Sequence, residues 1–212
     1  MRLPSFMYWT VSVSLKKRRI DTHGPSGAAG SAGPPGLPWG RALTYDDLAG
    51  LPDDGHRYEL VDGVLIVSPS PRMLHQRAVG NLHLQLREAC PADLEVFLVP
   101  FDVVLARDTV LEPDLLVARR ADLTERNLPA VPVLAVEVLS PSTRRFDLLL
   151  KRSRLEAAGC EHYWVVDPDE PSVLAWRLVE GGYTEASRAV GDEPFVVRDP
   201  YPVSFVPTEL VA

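Results

Sequence analysis

The sequence predicts an α+β fold, one mixed sheet flanked by two helices, and three observations carry that prediction. Strand-like and helix-like segments mix without the regular alternation of a βαβ protein. A hairpin signal, Tyr58-Glu59-Leu60-Val61 and Val64-Leu65-Ile66-Val67 around Asp62-Gly63, opens the ordered part of the chain. The run Val133-Leu134-Ala135-Val136-Glu137-Val138-Leu139 is apolar on both sides apart from one acid, which is the pattern of a central strand covered on both faces.

The remaining elements follow in order. Residues 1–40 contain the low-complexity stretch Gly24 to Gly36, which cannot bury a core, and are expected to form a disordered leader ahead of a single domain over 41–212. Lys16-Lys17-Arg18-Arg19 follows the mildly apolar Phe6–Leu15 segment, the reverse of a secretory signal. Thr44 is placed to cap a short helix, with Asp47 in its first turn. A helix is expected from His75 to Cys90, with Val79, Leu82, Leu86 and Ala89 on one stripe and Pro91 as its stop.

Leu94–Val99 reads as a strand that runs on through Phe101–Leu105, bent at Pro100. After a turn at Arg107-Asp108-Thr109, Val110–Ala118 reads as the next strand. Beyond the strand at 133–139, a helix over 145–158 should end at Gly159. A strand at His162–Val166 follows, then a C-terminal hairpin turning at Gly181-Gly182 and short strands near 195–197 and 203–206.

Composition sets the class. The chain has 212 residues, 46% hydrophobic and 24% charged, which is an ordinary globular balance. The net charge is −7; the first forty residues carry a local +4, leaving 17 basic against 28 acidic residues and −11 for the rest. A body this acidic is a poor non-specific binder of nucleic acid by field alone, but it suits a carboxylate cluster that holds cations. No apolar stretch approaches the ~18 residues that cross a bilayer. Cys90 and Cys160 are too few for a disulfide framework or a zinc site and read as reduced thiols of a cytoplasmic protein.

Glu137 then needs an explanation, because an ionised carboxylate alone in that strand would cost several kcal/mol (roughly the penalty of one desolvated ion). A buried Arg or Lys is one answer; a metal ion shared with a second carboxylate is the other. If the strands at 110–118 and 133–139 pair, Asp114, on the side of Leu116 and Ala118, can stand beside Glu137, on the side of Val133, Ala135 and Leu139. Two carboxylates so placed repel unless a cation bridges them, and paired oxygens with room for water are what Mg²⁺ takes. Lys151 lies on the apolar helix stripe with Leu148, Leu155 and Ala158, aimed at the sheet unless its stem snorkels outward. Asp147 is spaced to pair with it at i,i+4. Glu59 in the hairpin is a third candidate acid. No Gly-x-Ser-x-Gly elbow surrounds Ser140 or Ser142, which disfavours a serine hydrolase.

At these residues the chain resembles a known family. Glu112-Pro113-Asp114 followed by Glu137-Val138-Leu139 looks like the pattern of the PD-(D/E)XK nuclease superfamily. With Tyr58 to Gly63, Ser68-Pro69-Ser70-Pro71, His75-Gln76, Pro100 to Val103, Ser140 to Thr143, Asp147 with Lys151, and Glu161 to Pro168, it is similar to the Uma-type putative restriction endonuclease family. The resemblance covers residues 43–190. It implies a restriction-endonuclease-like αβββαβ core around a four-stranded mixed sheet, with an N-terminal and a C-terminal β-hairpin. It implies Asp114 and Glu137 as ligands of Mg²⁺ or Mn²⁺, with Glu59 as a further metal ligand. The superfamily's lysine usually follows the second acid by two residues; Leu139 stands there, so the role maps to Lys151.

The function so implied is divalent-metal-dependent hydrolysis of phosphodiester bonds, of DNA in preference to RNA. Asp114, Glu137, Lys151 and Glu59 form the catalytic set, and Arg144, Arg145, His75 and Gln76 lie on the substrate side. Trp176 and Tyr183 offer a face for a homodimer. The alternative is an oligomeric nucleic-acid-binding or scaffold module of the same fold with little or no turnover, which the acidic charge favours.

Overall fold

The computed structural model describes residues 40–51 and 55–212. The expected leader therefore lies outside the described residues, apart from Gly40. Among the described residues thirteen strands follow in chain order: β1 Arg57–Val61, β2 Val64–Ser68, β3 Leu94–Leu98, β4 Asp102–Ala106, β5 Thr109–Leu111, β6 Leu115–Arg119, β7 Asn127–Leu128, β8 Leu134–Val138, β9 His162–Asp167, β10 Ser172–Val179, β11 Gly182–Val190, β12 Phe195–Val197 and β13 Val203–Phe205. The α-helices are α1 Tyr45–Leu48, α2 Met73–Ala89 and α3 Arg152–Ala158, with a π-helical turn Phe146–Lys151 leading straight into α3.

Local chemistry explains the ends of these elements. The Thr44 backbone N–H donates to Asp47 Oδ2 at 2.8 Å, closing the N-terminus of α1 as its sequence predicts. The β1–β2 turn places Asp62 and Gly63 at φ of 52° and 75°, the two positive values a type I′ turn requires. A side chain at Gly63 would also collide with Ala42, whose Cβ lies 2.5 Å from where a Cβ would stand. Gly159 ends α3 in the left-handed region at φ 87°. The C-terminal hairpin turns at Glu180-Gly181, one residue earlier than Gly181-Gly182, because Glu180 and Gly181 are the pair with positive φ.

The strands form two main sheets and a small pair rather than one sheet. The larger has six strands in the order β11-β10-β9-β8-β6-β3, the second five in the order β2-β1-β5-β4-β7, and β12 pairs with β13. The four neighbours β9-β8-β6-β3, with α2 before β3 and α3 before β9, reproduce the αβββαβ order, and β8 and β9 supply its parallel pairing. Two segments expected to be continuous are divided between the sheets. Val99-Pro100 separates β3 from β4, and Glu112-Pro113-Asp114 separates β5 from β6. Proline cannot donate to a ladder, so each proline marks a point where the chain leaves one sheet for the other.

The helices cover opposite faces of the six-stranded sheet. Ala78, Val79, Leu82 and Leu86 of α2 pack with Leu115, Val117, Leu134, Val136 and Val138. Leu155 of α3 packs with Ala135, Leu139, Tyr163 and Val165 on the other side, together with Val61 and Leu111 from the five-stranded sheet. Val133 belongs to the first cluster and not with Ala135, because it precedes the regular alternation of β8. Trp176 and Tyr183 do not form a free face. Their rings stack near Tyr163 at centroid distances of 5.8 and 6.1 Å, and Arg152 lies over Trp176. None of the helices among the described residues is long and apolar enough to cross a membrane.

Candidate active site

β6 and β8 run antiparallel with Leu115 opposite Val136 and Leu116 opposite Ala135, so the register carries Asp114 opposite Glu137. Glu137 meets Lys151 on the face that α3 covers, and Asp114, just before β6, reaches Arg57 of β1 and His75 of α2. There, five acids are buried: Glu59, Glu112, Asp114, Glu137 and Asp147. The ammonium of Lys151, only 1% exposed, lies among them. Its Nζ is 2.9 Å from Glu59 Oε1, 3.1 Å from Glu137 Oε1 and 3.5 Å from Asp147 Oδ1. The stem of Lys151 therefore does not snorkel to solvent, and the i,i+4 pairing with Asp147 is one of three contacts.

The π-helical turn accounts for this placement. It shifts the register just where Asp147 and Lys151 face the sheet, and both end up buried. Tyr163 holds the turn by donating its hydroxyl to the Asp147 carbonyl at 2.7 Å. Glu59 does not sit in the open on its hairpin. It is fully buried, and its Oε1 accepts the Glu112 backbone N–H at 2.8 Å. Asp114 Oδ2 accepts the Val138 N–H at 2.8 Å and lies 3.1 Å from Nε2 of His75, while Oδ1 faces Nη1 of Arg57 at 2.6 Å.

The electrostatics follow from this crowding. Burial alone would lower the Lys151 pKa, but Glu137, Glu59 and Asp147 outweigh it and keep the amine charged. One ammonium does not satisfy three carboxylates. Burial, together with Asp147, Asp114 and Glu59, pushes Glu137 well above the carboxylate range despite Lys151. Glu112 is raised to about 8 by burial and then by Glu59 and Asp102. Asp114 moves the other way: burial opposes it, but the His75 hydrogen bond and the Arg57 charge hold it low and ionised. The cluster is thus short of positive charge in its deepest part.

These residues fit a divalent metal. Glu59 Oε2 and Glu137 Oε2 are buried with no hydrogen-bond donor, and Asp147 Oδ1 has only its 3.5 Å contact with Lys151; hard carboxylate oxygens are the donor chemistry of Mg²⁺ and Mn²⁺. Among the described residues no three His, Cys, Asp or Glu side chains converge closely enough to form a ready cage. The register brings Asp114 and Glu137 to adjacent positions on neighbouring strands.

A cavity of about 610 Å³ opens over the site. Its walls include Arg57, His75, Gln76, Glu112 and Asp114, and residues of the two Ser-Pro loops Ser68–Pro71 and Ser140–Thr143 also line it. His75 and Gln76 thus reach the cavity, His75 buried against Asp114 and Gln76 exposed. Arg144 and Arg145 do not line it. Arg144 turns to Asp167, with Nη1 2.5 Å from Oδ2, and Arg145 is exposed.

Two members of the cluster escape a reading of the sequence. Glu112 reads as an interior residue of the expected strand Val110–Ala118, and Arg57 as a residue just before the hairpin strand that starts at Tyr58. A signal for Arg57 was present: it is two residues before Glu59, so it shares the strand face that carries Glu59 inward.

None of the curated proteins matches the chain. A crystal structure of a putative nuclease of the DUF820 group from Anabaena variabilis superposes with a TM-score of 0.62 at 20% identity, covering 80% of this chain and 97% of that one. At that identity the likeness establishes the fold. The Uma2 family, described as putative restriction endonuclease, matches residues 44–206, most of the chain and all of the buried carboxylate cluster, and the chain belongs to that family.

Proposed function

We propose that the protein is a divalent-metal-dependent nuclease that hydrolyses phosphodiester bonds, with DNA as its substrate. The observation that carries this reading is the register of β6 and β8, which sets Asp114, in the cavity wall, opposite the buried Glu137, with the Lys151 ammonium 3.1 Å from Glu137. Asp114 and Glu137 would hold Mg²⁺ or Mn²⁺, with Glu59 in support. A bound dication of this kind activates water and polarises a phosphoryl oxygen.

The chain's own residues do the rest. Lys151 fixes the orientation of Glu137 and Glu59 and keeps positive charge beside the place where negative charge grows during attack. His75 and the Val138 N–H fix one oxygen of Asp114, so this ligand is oriented before any cation arrives. Gln76 and the hydroxyls of Ser68, Ser70, Ser140 and Ser142 present neutral hydrogen-bonding groups to a phosphodiester in the cavity.

The test is cleavage of plasmid and linear DNA with Mg²⁺ or Mn²⁺. Glu137→Ala and Asp114→Ala should each lower the metal-dependent rate by ~100-fold or more, as loss of a charge-stabilising group does. Both variants should keep a cooperative melt. Cleavage by either folded variant at the wild-type rate would refute the assignment.

A second reading, a binding or scaffold module without turnover, draws on the −7 net charge and on Arg57 and Lys151 already pairing the acids. Calorimetric titration with Mn²⁺ separates the two, since heat that disappears in Glu137→Ala favours the nuclease. A homodimer, suited to cutting both strands, would show as a doubled mass by light scattering.

A further inference from the structure

Arg57 touches both the buried cluster and the cavity. Its side chain is 19% exposed, borders the cavity, and reaches Asp114 through Nη1 at 2.6 Å and Glu59 Oε2 through Nε at 3.8 Å. The second contact is loose: Arg57 Nε and Glu59 Oε2 both lack a hydrogen-bond partner. On Asp114 the two oxygens are differently committed. Oδ2 is held by the Val138 backbone and by His75, both part of the sheet and helix framework. Oδ1 is held by Arg57, a long side chain open to the cavity. Oδ1 is therefore the oxygen available to a metal, and Arg57 already occupies it.

We propose that Arg57 is a resident counter-ion that the metal displaces. In the metal-free protein its guanidinium neutralises Asp114. A dication on Oδ1 and a guanidinium on the same oxygen repel, so Arg57 moves off into the cavity it already borders. A guanidinium there matches a phosphate oxygen pair, and Arg57 becomes a substrate contact. The phosphate step rests on the nuclease reading; the displacement step needs only metal binding. Exchange of this kind couples the two ligands. A phosphate that captures the freed guanidinium removes the competitor from Asp114, so metal and phosphodiester should each strengthen binding of the other by the same factor.

The experiment is calorimetric titration of Mn²⁺ into wild type, Arg57→Gln and Arg57→Ala, repeated with a non-cleavable phosphorothioate dinucleotide present. The variants should bind Mn²⁺ at least about tenfold more tightly than wild type, the effect of removing one charge-assisted competitor. The dinucleotide should tighten Mn²⁺ binding to wild type and leave both variants unchanged. A merely structural arginine would give weaker metal binding on removal, and Mn²⁺ affinity in Arg57→Gln equal to or below wild type overturns the proposal.

If both variants fail to fold, a crystal structure of the Mn²⁺-bound wild type decides. An opened Arg57–Asp114 contact supports displacement, and a contact retained near 2.6 Å beside bound metal refutes it while leaving the nuclease reading intact. Absence of Mn²⁺ binding by wild type and variants alike would remove both.

Discussion

Side chains that alternate along β6 and β8 enter two different interiors. On one side Leu115, Val117, Leu134, Val136 and Val138 meet the apolar stripe of α2, Ala78, Val79, Leu82 and Leu86. On the other, Asp114 and Glu137 share a face with Leu116, Ala135 and Leu139, and meet Lys151, Glu59, Asp147 and Arg57. The first face can be described by area and packing alone. The second holds more buried acid than base, an arrangement that packing does not favour and that hydrophobic residues of the same volume would replace at little cost. That contrast is the physical reason for placing the chemistry on the α3 face. Strained or charge-rich regions that stability does not require are expected where function requires them.

The comparison can be broken most forcefully at Lys151. Lys151→Ala strands Glu59, Glu137 and Asp147 without their shared cation, and urea unfolding should show a loss of ~3–5 kcal/mol in metal-free protein. Saturating Mn²⁺ should restore part of it, because ligand bound to the native state alone adds stability. A loss under about 1 kcal/mol would mean that the acids are neutral and Lys151 idle. On the apolar face, Leu82→Ala removes a fully buried side chain from α2 and should cost ~2–5 kcal/mol. Mn²⁺ should give no selective rescue there. Equal rescue of both variants would erase the distinction between the faces.

Glu112 sharpens the comparison through pH. Its folded pKa is raised to about 8, so between the ordinary carboxylate range and about 8 the native state keeps a proton that the unfolded chain has released. The native state binds more protons in that window, so stability falls as pH rises through it. Glu112→Gln cannot ionise and should be more stable than wild type by roughly 1–3 kcal/mol near pH 8 and nearly equal to it near pH 4. Thermal melts across that range check the sign, and a variant less stable than wild type near pH 8 would contradict it. The smallest effect is expected far from both faces. Arg177 and Asp199 form an exposed pair at 3.1 Å, and Asp199→Ala should change stability by less than about 1 kcal/mol.

Much of the charged face could be read from the chain. Glu137 stands out because its six neighbours are apolar, and Lys151 because it falls on a helical stripe of apolar residues. Asp62-Gly63 fixes the turn that brings Glu59 over the sheet. What could not be read depends on contacts between distant segments. Glu112 and Asp114 look like members of one strand, yet Pro113 passes the chain from the five-stranded to the six-stranded sheet between them. Only that transfer brings β1, with Arg57 and Glu59, against β5 and β6. The π-helical turn is likewise invisible to a helical-wheel argument that assumes 3.6 residues per turn. Trp176 and Tyr183 looked suited to an interface because the pattern of a hairpin does not say which of its faces a helix will cover.

The central claim is that Asp114 and Glu137 hold one cation between them. Anomalous diffraction from crystals soaked in Mn²⁺ tests it most directly. The account predicts a peak within coordination distance of oxygens from both side chains, lost in Glu137→Ala. A peak elsewhere on the protein, or an unaltered Lys151–Glu137 contact with no peak beside Asp114 at saturating Mn²⁺, would contradict it.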